Sequence, residues 1–156
     1  MKFDVMGDPG VAIDYARLAL VVRDFFESIE SARADGACVS LSFVGDAEIR
    51  ALNASYRGID EPTDVLSFPL WEEDGRFCPP GGWDELPLGD VVVSPDFVRE
   101  SAKREGRDFA AEIVLMIVHG TLHLVGFDHD AEAREAEMWR AQDELRNRYF
   151  AVDTAR

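Results

Sequence analysis

The only three histidines in the chain, His119, His123 and His129, fall within eleven residues of one another, inside the stretch IVLMIVHGTLHLVGFDHD from Ile113 to Asp130. Near neutral pH an imidazole either moves protons or, as the neutral base, ligates a metal. The spacing favours ligation. His119 and His123 are four residues apart, so on a helix they lie one above the other on a single face. Gly126 follows three residues later, where a helix can end in a left-handed turn that glycine adopts at little cost. The chain can then fold back and carry His129 toward the same point. Two histidines on a buried helix can equally be hydrogen-bonded core residues, but a third at this spacing favours a metal. No fourth protein ligand is evident, and structural zinc takes four protein ligands whereas catalytic zinc keeps one position open. The expectation is therefore a catalytic Zn2+ site, one per chain, with Ni2+ or Co2+ also suited to an all-imidazole cage.

The elements that must position these rings can be read in order. Lys2 to Met6 suggests a first strand, and Gly7, Pro9 and Gly10 a turn. From Val11 to about Arg33, Ile13, Leu18, Val22, Phe25, Phe26 and Ile29 recur at helical spacing, predicting one long amphipathic helix. Ala37 to Val44 alternates as a half-buried strand does. Gly45-Asp46 opens a short helix, and Val65 to Phe68 forms a strand closed by Pro69. Leu70 to Pro87, with its Pro-Pro-Gly-Gly run and many acids, predicts a long irregular loop or hairpin tip. Leu88 to Ser94 reads as an interior strand because its valines are nearly continuous. Ser94-Pro95 starts a helix, Asp108 caps the histidine-bearing one, and Ala131 to Phe150 has the composition of a final helix. The expected fold is α+β, an α/β sandwich. It has a small mixed, mainly parallel four-stranded sheet with helices packed on it, the histidine helix being central.

At 156 residues, 47% hydrophobic and 30% charged, the chain is expected to form one domain, residues 1–156, with a core of its own. It carries no apolar segment of signal-peptide or membrane-spanning length, and Cys38 and Cys78 are too few for a disulfide framework. The expectation is a cytoplasmic protein with no membrane partner.

The histidine spacing is similar to the H-E-x-x-H-x-x-G-x-x-H signature of metzincin proteases, with one departure. Where that signature has its general-base Glu, this chain has Gly120. The full string HGTLHLVGFDH instead resembles the signature of the YbeY family, bacterial metal-dependent endoribonucleases of ribosomal RNA maturation. LNASYRGIDEPTDVLSFP, from Leu52 to Pro69, resembles that family's second signature, and LGDVVVS its third, in the family's order. The resemblance implies that His119, His123 and His129 are zinc ligands and that Arg57 is the family's functional arginine. It also implies cleavage of single-stranded RNA, with action in 16S rRNA 3′-end maturation and ribosome quality control. The implied partners are single-stranded RNA or rRNA and the small ribosomal subunit with its proteins, not DNA.

On its own residues Arg57 reads first as a solvated side chain, although a planar, permanently charged fork suits a phosphate. Asp128 and Asp64 each read either as turn residues or as carboxylates near the metal. Trp71 and Trp83 suit base stacking or covering the core beneath their loop. The net charge of −15 runs against a polyanionic substrate, so RNA binding must rest on local cations, either Arg57 or the helix bearing Arg99, Lys103, Arg104 and Arg107. The attacking group stays open between water and the RNA 2′-hydroxyl. A zinc peptidase without the Glu base, or a non-catalytic ribosome-associated zinc module, would use the same three ligands.

Overall fold

A computed structural model describes residues 1–29 and 35–151. Strands β1 (Lys2–Met6), β2 (Ala37–Phe43), β3 (Val65–Pro69) and β6 (Leu86–Val93) form one sheet in the order β1-β2-β6-β3. The β1–β2 and β2–β6 pairings are parallel and β3–β6 is antiparallel, giving the mixed, mainly parallel α+β sheet expected. Two short strands, β4 (Glu72–Glu73) and β5 (Arg76–Phe77), make a separate antiparallel hairpin.

Helix α4 (Phe109–Leu124) lies at the centre, as its sequence demands. Ile113, Ile117, Val118 and Leu122 are fully buried, each contributing roughly 1.5–3 kcal/mol relative to exposure. One side of the helix packs on β3 and β6, the other on α3 (Pro95–Glu105) and α5 (Glu132–Phe150). Its first turn is capped by Asp108, whose carboxylate accepts from Ala111 N at 2.9 Å. Helix α1 (Tyr15–Glu27) adds Leu18, Val22, Phe25 and Phe26 to the same core. Helix α2 (Asp46–Arg57) covers the opposite face of the sheet, where Ile49 packs with Leu66 and Val92.

Three expectations need correction. The first helix begins at Tyr15, not Val11, because the Asp14 side chain accepts from Arg17 N and caps it there. It ends at Glu27, and residues 30–33 of the expected helix lie outside the described residues. Of the two readings of Leu70 to Pro87, the hairpin is found, formed by β4 and β5, but the last two residues of the stretch already belong to β6, which begins at Leu86 and not at Leu88. Pro87 hid that start. It lacks a backbone donor, and the sheet accommodates it beside a bulge at Cys38/Val39.

Candidate metal centre and its cleft

His119 and His123 occupy the last two turns of α4 and project from one face. The helix then stops as Gly126 requires. With φ at +94°, Gly126 donates its N–H to His123 O at 3.2 Å, and Phe127 N–H reaches back to Leu122 O at 3.1 Å. These are the two bonds of a Schellman turn. Phe127 packs its ring against Phe25, centroids 6.2 Å apart, which anchors the reversal to the core. Two residues on, His129 returns to the other two rings.

One nitrogen from each of His119, His123 and His129 lies within 4.8 Å of the others, and no fourth His, Cys, Asp or Glu joins them among the described residues. The Nε2 atoms of His119 and His123 are 3.1 Å apart. Two nitrogens each 2.0–2.1 Å from a tetrahedral zinc would be roughly 3.3 Å apart, so the pair fits such an ion. Burial, then the neighbouring His119, lowers the pKa of His123 to about 4, against the pull of Asp128. At neutral pH that ring is uncharged, the form that ligates.

The rings are held by residues the sequence did not single out. Nδ1–H of His119 donates to Gln142 Oε1 at 3.1 Å, leaving Nε2 with its lone pair toward the site. Gln142 is 4% exposed and sits on the buried stripe of α5 formed by Met138, Ala141, Leu145 and Tyr149. An amide on an otherwise apolar stripe was the available signal. Arg134, also on α5, donates to Gly126 O at 2.9 Å and pairs with Asp130 at 2.8 Å, bracing the turn that carries His129. Asp128 accepts from His129 N at 2.7 Å, while its carboxylate stays 3.8 Å from the ring nitrogen Nδ1. It holds backbone. Asp64 likewise accepts from Val65 N at 2.7 Å as a strand-start residue, although it faces the cleft.

That cleft measures about 570 Å³ and is lined by the three histidines, by β3, and by residues of the segments 53–64 and 70–87. From 53–64 come Tyr56, Arg57, Thr63 and Asp64, and from 70–87 come Glu72 and Gly75. Arg57 is the last residue of α2 before Gly58, which ends the helix with φ at +70°. Its side chain is exposed, and no carboxylate among the described residues pairs with it. Arg57 and Arg134 are the lining cations among the described residues. Helix α3, in which Asp96, Glu100 and Glu105 balance Arg99, Lys103 and Arg104 and which ends before Arg107, contributes nothing to the lining, and its Arg99 is committed to Asp96 at 3.0 Å and to the face of Phe109. Trp71 is also elsewhere, donating Nε1–H to Pro87 O at 2.6 Å and packing on the core.

Gly120 explains the departure from the protease signature. A Cβ there would lie 2.6 Å from Val91 Cγ1 and 3.1 Å from Ser67 Oγ, so the position faces the sheet at contact distance. A glutamate base has no room there.

The fold and site together define a class, small α+β proteins with a three-histidine cage open to a cleft at the end of a buried helix. A family model described as Endoribonuclease YbeY matches residues 8–150. Proteins named Endoribonuclease YbeY are similar along most of their length. The one from Bacillus licheniformis is 44% identical over 125 residues, covering 80% of this chain and 79% of its own. The one from Pelotomaculum thermopropionicum is 41% identical over 139 residues, covering 88% and 90%. The solution structure of TM1509 from Thermotoga maritima superposes with a TM-score of 0.60 at 29% identity, covering 96% of this chain and 89% of that one. This chain belongs to the YbeY endoribonuclease family.

Proposed function

We propose that this chain is a zinc-dependent, single-strand-specific endoribonuclease acting in rRNA processing, with 16S rRNA 3′-end maturation and ribosome quality control as its setting. The observation that carries the reading is the convergence of three imidazole nitrogens within 4.8 Å in a cleft that Arg57 also lines. Family membership supports the RNA substrate, and by the same support the partners are rRNA and the small ribosomal subunit with its proteins, in the cytoplasm. No helix among the described residues is long and apolar enough to cross a membrane.

His119, His123 and His129 would hold the ion. A bound zinc lowers the pKa of its water to about 7 and polarises a phosphoryl oxygen. The rest falls to the chain. Gln142 fixes the His119 tautomer, and the Schellman turn braced by Arg134 fixes where His129 stands. Arg57 offers a charge-assisted fork to the scissile phosphate and stabilises the negative charge that grows on it in the transition state. No group at position 120 takes a proton, which separates this reaction from that of the HExxH peptidases.

The test is to assay the zinc-loaded protein on a single-stranded RNA and on casein, with chelator controls. Chelator-sensitive RNA cleavage with casein intact is the expected result. Casein hydrolysis would establish a peptidase, and inactivity on both with zinc bound would indicate a non-catalytic zinc module.

A further inference from the structure

Tyr56 is 69% exposed, more than any other large apolar or aromatic side chain among the described residues. Its place in the chain is the last turn of α2, immediately before Arg57, and it lines the same cleft as the three histidines. Its ring stands edge-on to Phe68, centroids 4.8 Å apart and planes at 63°. Phe68 is half-buried, lines the cleft too, and packs against the core formed by Ile49, Leu66 and Val92. The Tyr56 ring is thus supported from behind by a rigid strand and open in front. Isolated exposed aromatics are common on protein surfaces and need no function. This one is backed by Phe68, adjoins a cation without an acidic partner among the described residues, and shares a cleft with the candidate metal centre.

We infer that Tyr56, backed by Phe68, is a nucleobase-stacking subsite next to the phosphate held by Arg57. The inference rests on the proposed endoribonuclease reading and deepens it. Adjacent residues on a helix point about 100° apart, so Tyr56 and Arg57 engage different parts of one nucleotide segment, the ring a base face and the guanidinium a phosphate. Stacking on an aromatic tolerates every base, because every base has a π-face. In a duplex those faces are hidden in the stack, whereas a single strand can splay one out. A stacking subsite beside the scissile phosphate therefore selects single-stranded RNA without reading its sequence. It also eases the charge problem. On a chain of net charge −15, stacking supplies affinity that does not depend on a positive field. Of the two tryptophans the sequence offers for this role, Trp71 is committed to Pro87 and the core, and Trp83 stands edge-on to Trp71, outside the cleft lining.

The experiment compares zinc-loaded wild type, Tyr56→Phe and Tyr56→Leu on a short unstructured RNA and on a series of the same RNA carrying one abasic nucleotide at successive positions. Leucine keeps an apolar cover over Phe68 and removes the π-face. Zinc content and thermal melting of each variant are checked first. The expected result is a KM for Tyr56→Leu raised about 5- to 100-fold, with most of it restored in Tyr56→Phe. One abasic position should raise the wild-type KM comparably and leave that of Tyr56→Leu almost unchanged, since both changes remove the same contact. An unaltered KM in Tyr56→Leu, or penalties that add in full, would overturn the subsite while RNA cleavage by the wild type left the proposed function standing. Wild-type protein that binds zinc and cleaves no RNA would overturn both. If Tyr56→Leu fails to fold, the abasic series on wild type decides alone, and a flat series overturns the subsite.

Discussion

Gln142 Oε1 accepts a hydrogen bond from His119 Nδ1 at 3.1 Å, across 23 residues of sequence and the packed interface between α4 and α5. This bond makes α5 part of the candidate metal centre although α5 supplies none of its three histidines. A ligating imidazole needs its second nitrogen engaged, both to select the tautomer and to fix the ring plane. Replacing Gln142 with Leu keeps the volume and removes the acceptor. Zinc affinity, measured by competition with a chromophoric chelator, should fall about 10- to 100-fold, and the d–d spectrum of the cobalt-substituted protein should change. Unchanged affinity would show that the His119 ring is held by packing alone.

Gly120 yields a prediction of unusual sign. Inside a helix, Gly→Ala ordinarily stabilises by up to about 1 kcal/mol. Here the new Cβ would meet Val91 Cγ1 at 2.6 Å, on a β-branched side chain that is stiff at χ1 and fully buried in the sheet. Overpacking of this kind costs roughly 1–3 kcal/mol, so Gly120→Ala should be a net loss of about 1 kcal/mol. Urea unfolding of the metal-free protein measures it. A gain in stability would mean that α4 can lift off β6 at no cost.

These two residues show where the sequence was legible and where it was not. The three-histidine cluster was legible because it is local. An i, i+4 pair and a glycine turn are written within eleven residues, and α4 announces its burial by an unbroken apolar run. What orients the rings is tertiary. Gln142 and Arg134 reach the site only because α5 packs across α4, and no spacing within one element encodes that. Tyr56 read as part of an irregular segment after Asn53, whereas α2 continues through it to Arg57 and β3 places Phe68 behind it. Arg57 drew attention through the family resemblance, since an arginine in a glycine-containing segment is usually solvated. Acidic and Pro-Gly composition left Leu70 to Pro87 open between a loop and a hairpin tip and hid the bounds of β4 and β5, and the α1 start was hidden by an Asp14 cap that the apolar period overran.

The two cysteines should differ sharply in reactivity. Burial first, then the hydrogen bond donated by Cys38 Sγ to Asp4 Oδ2 at 2.9 Å, raises the Cys38 thiol to about 11 from an ordinary 9.0. Cys78 is exposed. The thiolate is the nucleophile, so at pH 8 Cys38 should react with iodoacetamide on the order of 100-fold more slowly than an ordinary thiol, before any steric shielding. Peptide mass spectrometry against time gives both rates. The Cys38 rate should climb about tenfold per pH unit up to pH 11, and Asp4→Asn should accelerate it only in part, because burial is the larger cause. Equal labelling of the two thiols at pH 8 would contradict this environment.

In the proposed reaction Arg57 carries the heaviest weight. It is an exposed cation without an acidic partner among the described residues, lining the cleft of the three histidines on a chain with 31 acidic and 16 basic residues. Productive RNA binding on such a surface depends on few cations, and a guanidinium aimed at the scissile phosphate acts mainly where charge accumulates, in the transition state. Arg57→Ala should leave zinc content and melting temperature unchanged, because the side chain is exposed and pairs with no carboxylate among the described residues. It should cut RNA cleavage about 100- to 1000-fold, the loss typical of removing one preorganised stabiliser of a developing anion. Arg57→Lys should recover only part of that, since an ammonium restores the charge and not the bidentate fork. Cleavage rates of both variants on a single-stranded RNA, at matched zinc occupancy, decide the matter. Full activity in Arg57→Ala would remove the arginine from the mechanism and leave the phosphate's recognition to the metal and to Tyr56.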